Sequence, residues 1–207
     1  MQELDLTIQR DRFLKIFDEE IADRDGKDEL RNWLLSDDCD FFTAPASTKY
    51  HGNYEGGLCE HSLDVYDMAV RLADTFAEDI RKQYLVLIRP YNRGQFMESL
   101  TVSALFHDLC KVNFYTTKTR GRNSIYVVEE QLPYGGHGSK SVYILSKFLR
   151  DIRDEEAIAI NCHMGFSRSD DNAVSVGDAF HYSPLAWIIH TADSASTFLL
   201  DRVQPEE

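Results

Sequence analysis

A chain of 207 residues with 43% hydrophobic, 28% charged and 12% aromatic residues, 11 Gly and 5 Pro excludes the disordered, collagen-like and disulfide-scaffold classes. At this size about 70% of the unfolded surface can be buried, enough for a full core, and the length favours one domain over residues 1–207. The net charge of −13 excludes general coating of nucleic acid and stable duplex binding, which need a basic face to displace counterions.

Apolar positions spaced three and four apart dominate the pattern. Leu6, Phe13, Ile16, Phe17 and Ile21 predict a first helix, and Leu30, Trp33 and Leu34 a short second one. Residues 37–57 break the period in a loop carrying Pro45, Ser47, Gly52, Gly56 and Gly57. A long helix is predicted over 58–80, with Leu58, Leu63, Val65, Tyr66, Ala69, Val70, Leu72 and Ala73 on its buried side. A further helix near 96–109 precedes a change of period. Residues 113–119 and 124–130 alternate, are rich in Thr, Tyr and Val, and flank Arg120-Gly121-Arg122-Asn123, which predicts a β-hairpin. Helices resume at 139–149, 154–163 and 184–200, where Pro184 suits a first helical turn. The expected fold is mainly α, with one small hairpin and neither repeats nor linkers.

The longest wholly apolar runs, 84–88 and 185–189, fall far short of a membrane span. Glu3, Asp5 and Arg10 leave no apolar core for a signal segment. Cys39, Cys59, Cys110 and Cys162 lack paired zinc-knuckle spacings, so reduced thiols, a cytoplasmic location and no membrane partner are expected. The charge is uneven. Residues 111–153 hold eight basic side chains against three acids, which leaves −18 on the remainder and marks one region able to meet an anion.

Four of the seven histidines stand in suggestive places: His61 early in the long helix, His107 directly before Asp108, His137 within Gly135-Gly136-His137-Gly138, and His163 at a helix end. His107-Asp108 follows Thr101-Val102-Ser103-Ala104-Leu105-Phe106, so a carboxylate is expected to emerge from the end of a buried helix. Such a carboxylate is expensive unless it is paired, and a metal ion removes the penalty.

On these residues the chain resembles the HD-domain superfamily of metal-dependent phosphohydrolases. The superfamily's ordered pattern of His, His-Asp, two further His and Asp matches His61, His107-Asp108, His137, His163 and Asp193. Gly56-Gly57-Leu58-Cys59-Glu60-His61-Ser62 is similar to its first-helix entry, and His107-Asp108-Leu109-Cys110-Lys111 to its central His-Asp-x-x-Lys. The likeness covers roughly residues 44–200 and implies a helical bundle around a metal site. It further implies that His61, His107, Asp108 and Asp193 hold one metal, and that Asp108 bridges to a second held by His137 and His163. The donor mix suits Mn²⁺, Fe²⁺, Co²⁺, Ni²⁺ or Zn²⁺ better than Mg²⁺.

Two such ions would create a bridging hydroxide and clamp a phosphoryl group, with Lys111 neutralising charge on the phosphate. The implied activity is hydrolysis of a phosphoester in a small phosphorylated substrate: a nucleotide, cyclic nucleotide or short oligonucleotide. His51 is carried as a substrate contact from the resemblance. Lys118, Arg120 and Arg122 are expected to bind substrate phosphates, since the hairpin follows Lys111 and stands out against an acidic chain. The Gly-Gly-Leu entry and Gly136-His137-Gly138 are most similar to the HD portion of bacterial 3′-to-5′ exoribonucleases. The separate OB-fold of those enzymes is not expected within these 207 residues, which hold no β-rich module, and Met164-Gly165-Phe166 stands where the cyclic-di-nucleotide branch has Gly-Tyr-Pro. Related HD proteins use a di-iron centre and O₂, an alternative that imidazole and carboxylate ligands leave open. A silent binding module is disfavoured by the complete ligand set.

His190, three residues before Asp193, is expected either to support a ligand or to sit in the core. His181 carries no signal. Cys59, Cys110 and Cys162, one or two positions from the implied ligands, are expected to point elsewhere as buried thiols. Gly135–Ser141 lacks the Gly-Lys-Ser/Thr order of a phosphate loop, and no Gly-x-Ser-x-Gly elbow is present.

Overall fold

The computed structural model describes residues 2–49, 52–120, 123–128, 136–165 and 173–200, and its architecture is the mainly α one expected. Helix α1 (Gln2–Glu20) buries Phe13 and Phe17, and Ile21 extends that four-residue spacing into the next turn. Helix α2 (Lys27–Leu34) buries Leu30 and Leu34. The predicted helix over 58–80 is two helices. Helix α3 (Gly57–Thr75) stops at Phe76, whose φ of −103° and ψ of 20° leave the helical region, and α4 (Ala77–Val86) restarts beyond it. Thr75 Oγ1 donates to the Arg71 carbonyl at 2.8 Å, a bond that competes with the helix's own ladder. Phe76 itself turns edge-on to Trp187, with centroids 5.5 Å apart.

Helix α5 (Arg93–Phe106) is capped by Asn92, whose side chain accepts the Gln95 N–H at 3.0 Å. It ends at Phe106, and residues Leu109–Lys111 form a single 3₁₀ turn. Asn113 then takes left-handed backbone at φ 52°, a conformation Asn tolerates. Asp40 Oδ1 accepts its N–H, and its Nδ2 donates to the Asp38 carbonyl. This corner aims the chain into the hairpin, in which β1 (Tyr115–Arg120) pairs antiparallel with β2 (Asn123–Val128), Tyr115 opposite Val128. Residues 121 and 122, at the predicted turn, lie outside the described residues.

Helix α6 (His137–Leu145) begins two residues before the predicted start at 139 and ends four before 149. Helices α7 (Asp154–Cys162), α8 (Ala173–Tyr182) and α9 (Pro184–Ala195) follow, and Ser196–Leu200 closes with a π-helical turn. Helix α8 was not predicted, because Gly177 and the polar Ser175 and Asp178 interrupt its apolar period. No helix among the described residues is long and apolar enough to cross a membrane.

Two apolar clusters form the core. One gathers Phe13, Phe17, Leu30, Phe41, Leu58, Leu63, Leu105, Phe106 and Leu145. The other gathers Val65, Ala69, Ala73, Leu100, Ala104, Ala159, Leu185, Ile188 and Ala192, and its alanines let α3, α5, α7 and α9 approach closely. Helices α3 and α5 supply both clusters, and α5 is buried continuously from Ser99 to Phe106, as a helix enclosed on all sides must be. A charged knot ties the turn after α1 to α7. Buried Glu156 accepts from Arg24 at 2.8 and 3.1 Å, from Ser99 Oγ at 2.9 Å, and from the backbone and guanidinium of Arg153 at 3.0 and 3.1 Å.

Candidate metal centre

The site lies where the ends of several helices converge. The local sequence explains how α3 arrives there: Gly56 caps the helix at φ 85°, and a Cβ on Gly57 would fall 2.1 Å from the Gly52 carbonyl oxygen. Glycine at both positions lets the loop cross tightly into α3, and one turn further on His61 is buried between Leu58 and Leu63.

His107 and His163 are held in the same way. Each is the residue after its helix, α5 or α7, and each Nδ1 lies against the carbonyl three residues back, Ala104 at 2.8 Å and Ile160 at 2.6 Å. A carbonyl only accepts, so both Nδ1 atoms carry hydrogen, and in the neutral rings Nε2 is left with its lone pair. Both Nε2 atoms face Asp108. His107 Nε2 is 3.5 Å from Oδ2, 3.3 Å from His61 Nε2 and 3.9 Å from Asp193 Oδ1. His163 Nε2 is buried and 3.6 Å from Asp108 Oδ1, too far for a full hydrogen bond. His61 Nε2 is 3.1 Å from Asp193 Oδ1 and 3.9 Å from Asp108 Oδ2.

Asp108 is 4% exposed. Burial opposes its ionisation, but Lys111, His107 and His163 hold its carboxyl well below the usual range. Lys111 Nζ sits 2.6 Å from Asp108 Oδ2; burial works against the ammonium, and Asp108 nonetheless pushes it up to about 12. Asp193 is likewise lowered, by the His61 hydrogen bond and the surrounding imidazoles against the cost of burial. His61, His107 and Asp108 offer ligand atoms close enough together to hold one metal ion, and Asp193 and His163 reach the same group.

His137 stands at its edge. Gly138 lets the start of α6 press on α7, since a Cβ there would fall 2.5 Å from the carbonyl oxygens of Ile160 and Asn161. The ring is partly exposed, and its Nδ1 lies 3.3 Å from Cys110 Sγ. Burial is the leading influence that lowers its pKa. The expectation that Cys110 points elsewhere is therefore corrected: the residue lies on the 3₁₀ turn and not on an α-helix, and that backbone aims its thiol between Asp108 and His137. Cys59 is a buried thiol as expected, Cys162 is half-buried, and burial pushes both thiols up.

His190 supports the site from α9. Its Nδ1 meets the His163 carbonyl at 2.7 Å, and a Cβ on Gly165 would lie 2.3 Å from its ring, so Gly165 is what lets the end of α7 cross it. Lys140 was missed as a site residue. Its Nζ donates to the Cys110 carbonyl at 2.7 Å and lies 4.6 Å over the Phe114 ring. The signal was available, because Lys140 and Ser141 follow His137 by three and four residues and so share its helix face.

Among the described residues, the basic stretch does not form one anion-binding face. Arg150 pairs with Asp25 and Glu29, and Arg153 with Glu98 and Glu156, so both are committed to acids from distant segments. Lys118 is exposed on β1; the side chain of Arg120, and all of Arg122 and His51, lie outside the described residues. A separate cavity of about 520 Å³ between α4, α5 and α7 shares none of the site residues, and its Arg89 and Arg153 are paired with Glu155 and Glu98.

A helical bundle that buries a His-Asp pair at a helix end, with further imidazoles and a carboxylate around it, defines a metal-site protein. The chain belongs to the HD domain family, whose model matches residues 58–197. It is also similar to the dihydroneopterin 2′,3′-cyclic phosphate phosphodiesterase of Methanocaldococcus jannaschii, at 28% identity over 163 residues, 76% of this chain and 53% of that protein. The chain thus spans about half the length of that curated relative. No solved structure matches it.

Proposed function

We propose that the chain is a metal-dependent phosphodiesterase that cleaves a phosphoester bond in a nucleotide, cyclic nucleotide or short oligonucleotide. His61, His107, Asp108 and Asp193 would hold one divalent transition-metal ion, and Asp108, His137 and His163 a second. The observation that carries this reading is the pair of imidazoles whose Nε2 lone pairs face the carboxylate oxygens of Asp108 at 3.5 and 3.6 Å. Each lone pair repels the carboxylate beside it unless a proton or a metal ion lies between them, and a transition metal accepts both donor types.

Bound divalent ions would supply Lewis acidity and a water of lowered pKa. The chain's own groups do the rest. Lys111 presents its ammonium beside the site, where it neutralises charge on the phosphoryl oxygens. The close packing around His107 and His163 excludes water from the ligand rings. Lys118, with Arg120 and Arg122, is assigned to the substrate's other phosphates, and His51 to a substrate contact. The relative's action on a 2′,3′-cyclic phosphate favours the cyclic diester among these substrates.

Elemental analysis of the purified protein, joined to a panel of linear and cyclic phosphoesters, tests the reading. Two transition-metal ions per chain and turnover of a diester are expected. A coloured, iron-loaded protein that turns over no phosphoester overturns it in favour of oxidation chemistry.

A further expected result concerns pH. Burial works to lower the pKa of His163, yet Asp108 and Asp193 outweigh it and raise the value above the ordinary imidazole range. The metal-free chain therefore keeps this proton at higher pH than a free histidine. The stability it contributes is full below the unfolded value of about 6.5 and is lost as pH rises through the folded value. An entering ion must displace the proton, so affinity falls with falling pH. Calorimetry of metal uptake near neutral pH, in two buffers of different ionisation heat, should show net proton release, and His163→Ala should reduce it.

A further inference from the structure

A ligand imidazole needs a partner at the ring nitrogen that does not bind metal. For His107 and His163 the helix provides it, through the carbonyl three residues back. His137 opens α6 and has no preceding helical turn. Its Nδ1 meets Cys110 Sγ at 3.3 Å instead. That sulfur is held firmly. The Cys110 N–H donates to Ser141 Oγ at 3.0 Å, and its carbonyl accepts from Lys140 Nζ at 2.7 Å, so two residues of the helix that His137 begins grip the cysteine backbone. Asp108 Oδ1, 4.0 Å from Sγ, can accept the thiol hydrogen, which would leave the sulfur lone pairs for His137.

We propose that Cys110 is a positioning residue for His137: its sulfur accepts the Nδ1–H and leaves Nε2 as the ring's metal-binding atom. This rests on the two-ion reading above. It makes Cys110 the side-chain equivalent of the helix carbonyls behind His107 and His163, one link in a chain from His137 through the thiol to Asp108. Partners of this kind hold ring orientation and tautomer, and their loss typically costs about 10–100-fold in metal affinity.

The test is calorimetric titration of the metal-free chain with Mn²⁺ and Zn²⁺ in the parent, Cys110→Ala and Cys110→Ser, with melting curves for each. In Cys110→Ala the affinity for the second ion should fall about 10–100-fold while the first is unchanged. Cys110→Ser should recover most of the loss, because a hydroxyl also accepts from Nδ1–H and donates to Asp108. Long-range proton–nitrogen spectra of the zinc-loaded parent should show His137 protonated at Nδ1. If the parent binds two ions and Cys110→Ala binds the second equally well, or if Nδ1 proves to be the metal-bound atom, the inference falls and the two-ion reading stands. Equal weakening of both ions with lower melting and no rescue by serine reduces Cys110 to packing and also overturns it. A parent that takes up one ion overturns the two-ion reading and this inference together.

Discussion

Asp108→Ala is expected to abolish hydrolysis, with a loss on the order of 10³ or more, and to strip the chain of most of its metal. The carboxylate reaches much of the centre: His61, His107 and His163 at 3.9, 3.5 and 3.6 Å, and Lys111 at 2.6 Å. Removing it leaves the imidazole donors with Asp193 as the remaining carboxylate to offset the ion's charge. It also leaves the Lys111 ammonium buried beside them, and a lone buried charge is strongly destabilising. The metal-free variant should therefore melt below the metal-free parent. Asp108→Asn, which keeps the volume, separates the two effects, because its melting should recover more than its metal content does. Elemental analysis and a diester assay on both variants check the result, and parent activity with parent metal content in Asp108→Ala would sink the assignment.

Glu156→Ala is expected to have the largest effect on stability away from the centre. Its carboxylate is fully buried and accepts from two arginines, a serine and a backbone N–H. Truncation leaves Arg24 with Asp151 alone, and Arg153 with Glu98. Removing one partner of a buried pair costs about 3–5 kcal/mol. Because Arg24 keeps Asp151, the lower end applies, and for a chain of this size about 3 kcal/mol lowers Tm by roughly 6–12 °C. Replacing both partners, Arg24→Met with Glu156→Leu, should recover much of the loss, since an apolar pair of similar volume has no buried charge left to satisfy. Thermal and urea melts of the parent and the two variants measure this. A single variant as stable as the parent would show that water reaches Arg24 and that the knot contributes little.

Much of the centre could be read before any coordinates. The spacing of Phe13, Phe17 and Ile21 predicts their burial, and His61, His107-Asp108, His163 and Asp193, far apart in the chain, do meet in space. Such features are legible because a helix repeats every 3.6 residues and a motif carries its chemistry in neighbouring side chains. Other features depend on atoms delivered from remote segments. The break at Phe76 answers to Trp187 on α9. Arg150 and Arg153 read as a basic face, but Asp25, Glu29 and Glu98 neutralise them across more than 50 residues of chain. Cys110 reads as an inert thiol until the 3₁₀ turn replaces the helix that would have turned it away. Periodicity records which side of a helix avoids water, a property that each residue satisfies locally. The partner of a charge or of a ring nitrogen is set by distance in space, and only the packed chain brings those atoms within 3 or 4 Å, where hydrogen bonds and Coulomb forces act.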